Sequence, residues 1–113
     1  MPIVHITRRE RFSAAHKLSR PDWSPEQNYA TFGKCSNPNW HGHNYVLWVT
    51  VSGEPSTETS FVTDLSVLSR IIKERVIDRL DHKNIDLDGD FMNGRYSSTD
   101  NLAVAFCELF DEP

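Results

Sequence analysis

The chain has 113 residues, 38 % hydrophobic and 25 % charged, with a formal net charge of -4 and a pI near 5.7. A chain of this length builds one modest core, so a single domain over residues 1–113, steadied by self-association, is expected. The acidic balance disfavours nucleic-acid partners. No apolar run reaches the length of a membrane span, and the segment Met1 to Arg9 lacks the apolar core of a secretory signal, so a cytoplasmic protein without membrane partners is expected.

In chain order, Ile3 to Ala15 reads as a strand, with Val4, Ile6, Phe12, Ala14 and His16 on one parity. That parity places His16 on the apolar face. Lys17 to Trp40 holds Pro21, Pro25, Gly33 and Pro38 with Trp23, Tyr29 and Phe32 between them, and reads as a long packed functional loop. His43 to Ser52 is the clearest strand: His43, Tyr45, Leu47, Val49 and Val51 fall on one side. Gly53 to Ser60 is rich in turn formers. Helical spacing then runs through Leu65, Leu68, Ile72, Val76 and Leu80, with Thr63 or Asp64 as the cap, and stops near Asp81-His82. A second helix follows the cap-like Ser97-Ser98-Thr99-Asp100 and carries Leu102, Ala105, Phe106, Leu109 and Phe110.

The chemistry concentrates in Cys35-Ser36-Asn37-Pro38-Asn39-Trp40-His41-Gly42-His43. Residues two apart on an extended backbone point to the same side, so His41 and His43 can present both rings to one point. His16 ends the preceding strand and supplies a third imidazole. Three imidazoles with an open fourth position make a catalytic rather than a structural zinc site, so His16, His41 and His43 are the expected ligands of Zn2+. Two cysteines, Cys35 and Cys107, do not make a disulfide framework, and Cys35 is expected to be a free thiol in a reducing compartment. Cys35 reads as a general base or nucleophile, as a fourth zinc ligand, or as a small buried hydrophobe. Asp81-His82 reads as a relay able to tune that thiol, or as a plain helix-terminal turn.

Cys-x5-His-Gly-His-Asn-Tyr, the upstream Phe-Ser-Ala-Ala-His, Asp81-His82-Lys83-Asn84 and Ser98-Thr99-Asp100-Asn101-Leu102 together resemble the 6-pyruvoyltetrahydropterin synthase family over nearly the whole chain. The resemblance implies an α+β tunnelling fold: an antiparallel sheet with two helices packed on one face, assembling as trimers that pair into hexamers, with active sites between subunits. It implies conversion of 7,8-dihydroneopterin triphosphate to 6-pyruvoyltetrahydropterin with elimination of triphosphate, in tetrahydrobiopterin biosynthesis. By the same resemblance His16, His41 and His43 hold zinc, Cys35 accepts the proton, Asp81 and His82 form its relay, and Ser98, Thr99 and Asp100 line the pterin pocket.

The five residues between Cys35 and His41 favour the pyruvoyl enzyme over the related 6-carboxytetrahydropterin synthases. The family pattern continues into two further strands, with a Glu that grips the pterin; Glu108 and Glu112 lie too early to replace it. The chain therefore reads as C-terminally incomplete, and the alternative functions are a non-catalytic subunit or interaction partner of the full-length enzyme, or a 6-carboxytetrahydropterin synthase.

Overall fold

A computed structural model describes residues 2–111. Strand β1 (Val4–His16) and strand β2 (His41–Gly53) form a long antiparallel pair in register from Val4 opposite Gly53 to His16 opposite His41. Burial deepens along β1. Val4 and Ile6 are half-buried, whereas Phe12, Ala14 and His16 are buried on the expected parity. The order in the sheet is β2-β1-β3, where β3 (Lys83–Asn84) pairs parallel with Ala14 and Ala15. The sheet is thus antiparallel but for this two-residue strand.

The segment expected as a loop contains helix α1 (Pro25–Phe32). Ser24 caps it by accepting the Gln27 N–H at 3.1 Å, and Pro25 takes the first helical position, where its missing N–H costs nothing. A helical turn over Gly33–Ser36 follows and carries Cys35. Buried Asn28 accepts from the Arg20 N–H (2.8 Å) and donates to the Arg20 carbonyl (3.0 Å), tying α1 to the exit of β1. The Leu18 N–H donates to the Cys35 carbonyl at 2.7 Å and brings the thiol's turn beside the same exit.

Helix α2 (Leu65–Ile72) starts at Asp64, whose carboxylate accepts the Ser66 N–H at 2.9 Å. It passes through a π-helical turn (Lys73–Ile77) into α3 (Asp78–Leu80). Leu68, Ile72, Val76 and Leu80 are spaced four apart, a spacing that drifts by roughly 40° per step on a 3.6-residue helix; the wider π turn offsets that drift and keeps all four buried. Leu65 is 53 % exposed, so the stripe begins one turn later than its spacing indicates.

After β3 come α4 (Ile85–Asp88) and, beyond a short turn, α5 (Thr99–Phe110), which is capped by Ser98. The core joins Phe12 and Ala14 of β1 to Val76, Leu80, Ile85, Met92, Leu102, Ala105, Phe106 and Leu109. Phe12 stacks on Tyr45 at 4.9 Å and meets the edge of Phe106 at 6.2 Å.

Candidate metal centre

The β1–β2 register determines the centre. His16 stands opposite His41, and Ala14 opposite His43, so three rings from two adjoining strands share one face. Ring centroids are 4.6 Å apart for His16–His41, 5.1 Å for His16–His43 and 4.6 Å for His41–His43. One nitrogen from each ring lies within 4.8 Å of the others.

Hydrogen bonding picks out which nitrogen of His16 is available. Its Nδ1 lies 2.8 Å from the Ser97 carbonyl oxygen, which can only accept, so Nδ1 carries the hydrogen and Nε2 keeps its lone pair. That Nε2 and both ring nitrogens of His41 are buried without a hydrogen-bond partner. Burying such groups is costly unless something satisfies them, and a divalent cation would satisfy one nitrogen of each ring. The donor set therefore fits a metal ion of borderline softness. Burial and the neighbouring His16 and His43 hold the His41 pKa below its ordinary 6.5, so its ring stays neutral and competent to bind metal.

Asp86 braces this centre. One carboxylate oxygen accepts from the Ser97 hydroxyl at 2.7 Å; the other accepts from the Lys17 N–H at 2.8 Å and the Trp40 indole N–H at 3.1 Å. It thus joins the residues flanking His16 and His41 to the loop before α5. In the sequence Asp86 carries no local signal beyond its place after an Asx-capping Asn84.

By parity alone Tyr45 is an apolar strand residue. Its ring lies 5.7 Å from His43 and 6.1 Å from His16, and its buried hydroxyl is unpartnered. Burial, with the charges of Asp86 and Cys35 nearby, pushes its pKa up to about 12.

Cys35 is half-buried and, like exposed Cys107, a free thiol. It lines a cavity of about 1080 Å³ together with Lys17, Trp23, Tyr29, His41 and His43. Asp81 and His82 form a corner against Ser13 of β1. Asp81 accepts the Ser13 N–H at 2.9 Å and lies 3.0 Å from the His82 Nδ1, and the His82 N–H returns to the Ser13 carbonyl. The Ser13 hydrogen bond, chiefly, holds the Asp81 pKa below its ordinary value. His82 lines a second cavity, which shares Gly42 and His43 with the first.

Ser98 is engaged as the α5 cap, accepting the Asn101 N–H at 3.2 Å; Thr99 and Asp100 follow it, exposed, in the first turn of α5. The neighbour Ser97 is the residue that reaches the histidines. Glu108 is paired with Arg95 at 2.9 Å, and Glu112 lies outside the described residues.

The family model for 6-pyruvoyl tetrahydropterin synthase matches residues 5–113. A 6-pyruvoyl tetrahydrobiopterin synthase of Drosophila melanogaster is 43 % identical over 103 residues, covering 91 % of this chain and 61 % of its own. The protein of the same name from Pongo abelii is 46 % identical over 101 residues, covering 89 % of this chain and 70 % of its own. The solved 6-pyruvoyl tetrahydropterin synthase of Caenorhabditis elegans superimposes with a TM-score of 0.87 at 42 % identity, over 96 % of this chain and 78 % of that one.

Proposed function

We infer the function from kinship: the chain belongs to the 6-pyruvoyl tetrahydropterin synthase family, and its reaction is taken to be that of the enzymes it resembles. The substrate is 7,8-dihydroneopterin triphosphate, the product 6-pyruvoyl-5,6,7,8-tetrahydropterin, and triphosphate leaves by carbon–oxygen cleavage. The observation that carries this reading is the convergence of His16, His41 and His43 beside a cavity that Cys35 also lines.

Zinc held by the three imidazoles would supply Lewis-acid polarisation of the substrate's side-chain oxygens, acidifying the adjoining C–H bonds. Cys35 removes the proton as thiolate. Asp81 orients His82 and stabilises its charged form, and His82 tunes the thiol. Because Cys35 and His82 line different cavities of one chain, the relay is read as pairing Cys35 with the Asp-His corner of a neighbouring copy. Ser98, Thr99 and Asp100 are assigned to the pterin pocket on the same basis.

Self-association is supported by shape. The radius of gyration is 17.3 Å and the longest extent 59 Å, against about 13 Å for the radius of a compact chain of this size. Strand β2 is also an edge strand thirteen residues long, and such an edge invites pairing with another chain. A homotrimer or hexamer follows from this reading, and sedimentation velocity tests it.

The test of the reaction is incubation of the zinc-loaded chain with dihydroneopterin triphosphate. Release of triphosphate with formation of the pyruvoyl product is expected; zinc bound without release assigns the chain the role of a non-catalytic subunit. In the Cys35→Ala variant turnover is abolished at unchanged zinc content. A loss of zinc from that variant would instead make Cys35 a ligand.

A further inference from the structure

We propose that Lys17 and Lys34 form an oxyanion subsite in the large cavity, placed to hold the phosphate chain of the ligand that the histidine centre receives. The inference rests on the functional reading above and deepens it.

The first observation is charge segregation. The chain carries 16 acidic residues against 12 Lys and Arg, yet the described residues that line the cavity include Lys17, Arg20 and Lys34 and no Asp or Glu. Arg20 is already neutralised by a two-pronged pair with Asp22, at 3.1 and 3.0 Å. Among the described residues Lys17 and Lys34 make no ion pair. Two uncompensated ammonium groups in a cavity that also adjoins a divalent-cation site select for a highly anionic ligand.

The second observation is that the fold brings the two lysines together. The hydrogen bond from the Leu18 N–H to the Cys35 carbonyl joins their immediate neighbours at 2.7 Å, so residues 17 and 34 flank one backbone junction. Lys17 is also held in place. Its ammonium lies 4.3 Å from the centroid of the Trp40 ring, and that ring is fixed by its own N–H bond to Asp86. A neutral aromatic face holds the ammonium without a paired carboxylate, which leaves its charge available to an incoming oxyanion.

The probe is inorganic tripolyphosphate, titrated calorimetrically into the metal-free and the zinc-loaded chain. Lys17→Met and Lys34→Met keep an unbranched apolar stem and remove the charge. Each is expected to weaken tripolyphosphate binding by about 10-fold, as loss of one charge-assisted contact does, and the double variant by more, with a flatter dependence on salt. Zinc content should match the parent chain in both variants, and the urea midpoint should match it in Lys34→Met, whereas Lys17→Met also gives up the contact with Trp40. In turnover assays both variants should raise KM with little change in kcat.

A double variant that binds tripolyphosphate as the parent does would overturn the subsite, as would binding that vanishes without zinc whatever residues 17 and 34 are. The two readings separate cleanly. Lysine-dependent tripolyphosphate binding without turnover upholds the subsite and sinks the reaction; turnover with an unaltered KM in the double variant does the reverse.

Discussion

His16 Nδ1 donates to the carbonyl oxygen of Ser97 across 2.8 Å of space and 81 positions of sequence. This one bond orients the ring, selects its tautomer and leaves Nε2 facing His41 and His43. It also ties the loop before α5 to the histidine cluster, and the Ser97 hydroxyl passes the connection on to Asp86.

The centre should therefore bind one zinc ion per chain, and Asp86 should matter to it without touching the metal. Removing an outer partner of a metal-binding histidine typically costs 10- to 100-fold in affinity. Asp86 reaches His16 only through Ser97, so Asp86→Ala is expected to weaken zinc binding at the low end of that range, by about 10-fold, and His16→Ala, His41→Ala or His43→Ala by more. Competition against a chromophoric chelator measures both; an Asp86→Ala affinity equal to the parent's would refute the brace.

Tyr45 should titrate late. Its pKa is raised from an ordinary 10.0 to about 12, so between those values the unfolded chain loses the phenolic proton and the folded chain keeps it. Stability contributed by the buried neutral phenol is fully present below pH 10 and is lost as pH rises through the folded value. One of the three tyrosines is expected to show delayed phenolate absorbance, and Tyr45→Phe should remove that component. A titration in which all three ionise near the ordinary value would contradict the burial argument.

Acid should act through Asp81. Its pKa is held below 3.8, first by the Ser13 N–H and then, against a smaller cost of desolvation, by His82. The unfolded chain therefore takes up a proton before the folded chain does as pH falls. The stabilisation is present above the ordinary value and disappears as pH drops through the folded one. Asp81→Asn should flatten the acid limb of a urea-midpoint profile below about pH 4, while leaving the neutral-to-basic limb parallel to the parent's.

Trp40 occupies φ +60°, a conformation that costs a residue with a Cβ roughly 1–2 kcal/mol. Its indole bond to Asp86 and its contact with Lys17 offset that cost. Trp40→Ala keeps the strain and loses both contacts, whereas Trp40→Gly loses the contacts and the strain together. Urea denaturation should rank Trp40→Ala below Trp40→Gly in stability by about 1 kcal/mol; the opposite order would show that the backbone there is unstrained.

Much of the architecture was legible because it is periodic. Alternation over β1 and β2, the four-spaced stripe Leu68, Ile72, Val76 and Leu80, and the caps at Asp64 and Ser98 all express rules that hold between near neighbours in sequence. Helix α1 escaped because it buries only Asn28 and has no apolar stripe to detect. Pro25, its first residue, stands among Pro21, Gly33 and Pro38 and so reads as part of a loop. Strand β3 escaped because two residues carry no period.

That His16, His41 and His43 meet was legible from residue type and parity, since a His-x-His pair on a strand can converge whatever the rest of the chain does. What stands behind it was out of reach. The Ser97 carbonyl, the Asp86 carboxylate, the cation seated on Trp40 and the raised Tyr45 pKa join positions tens of residues apart. Local sequence determined which side chains face the same way; only the packed chain decided which distant partners meet them, because hydrogen bonds and burial act over ångströms of space and carry no period along the backbone.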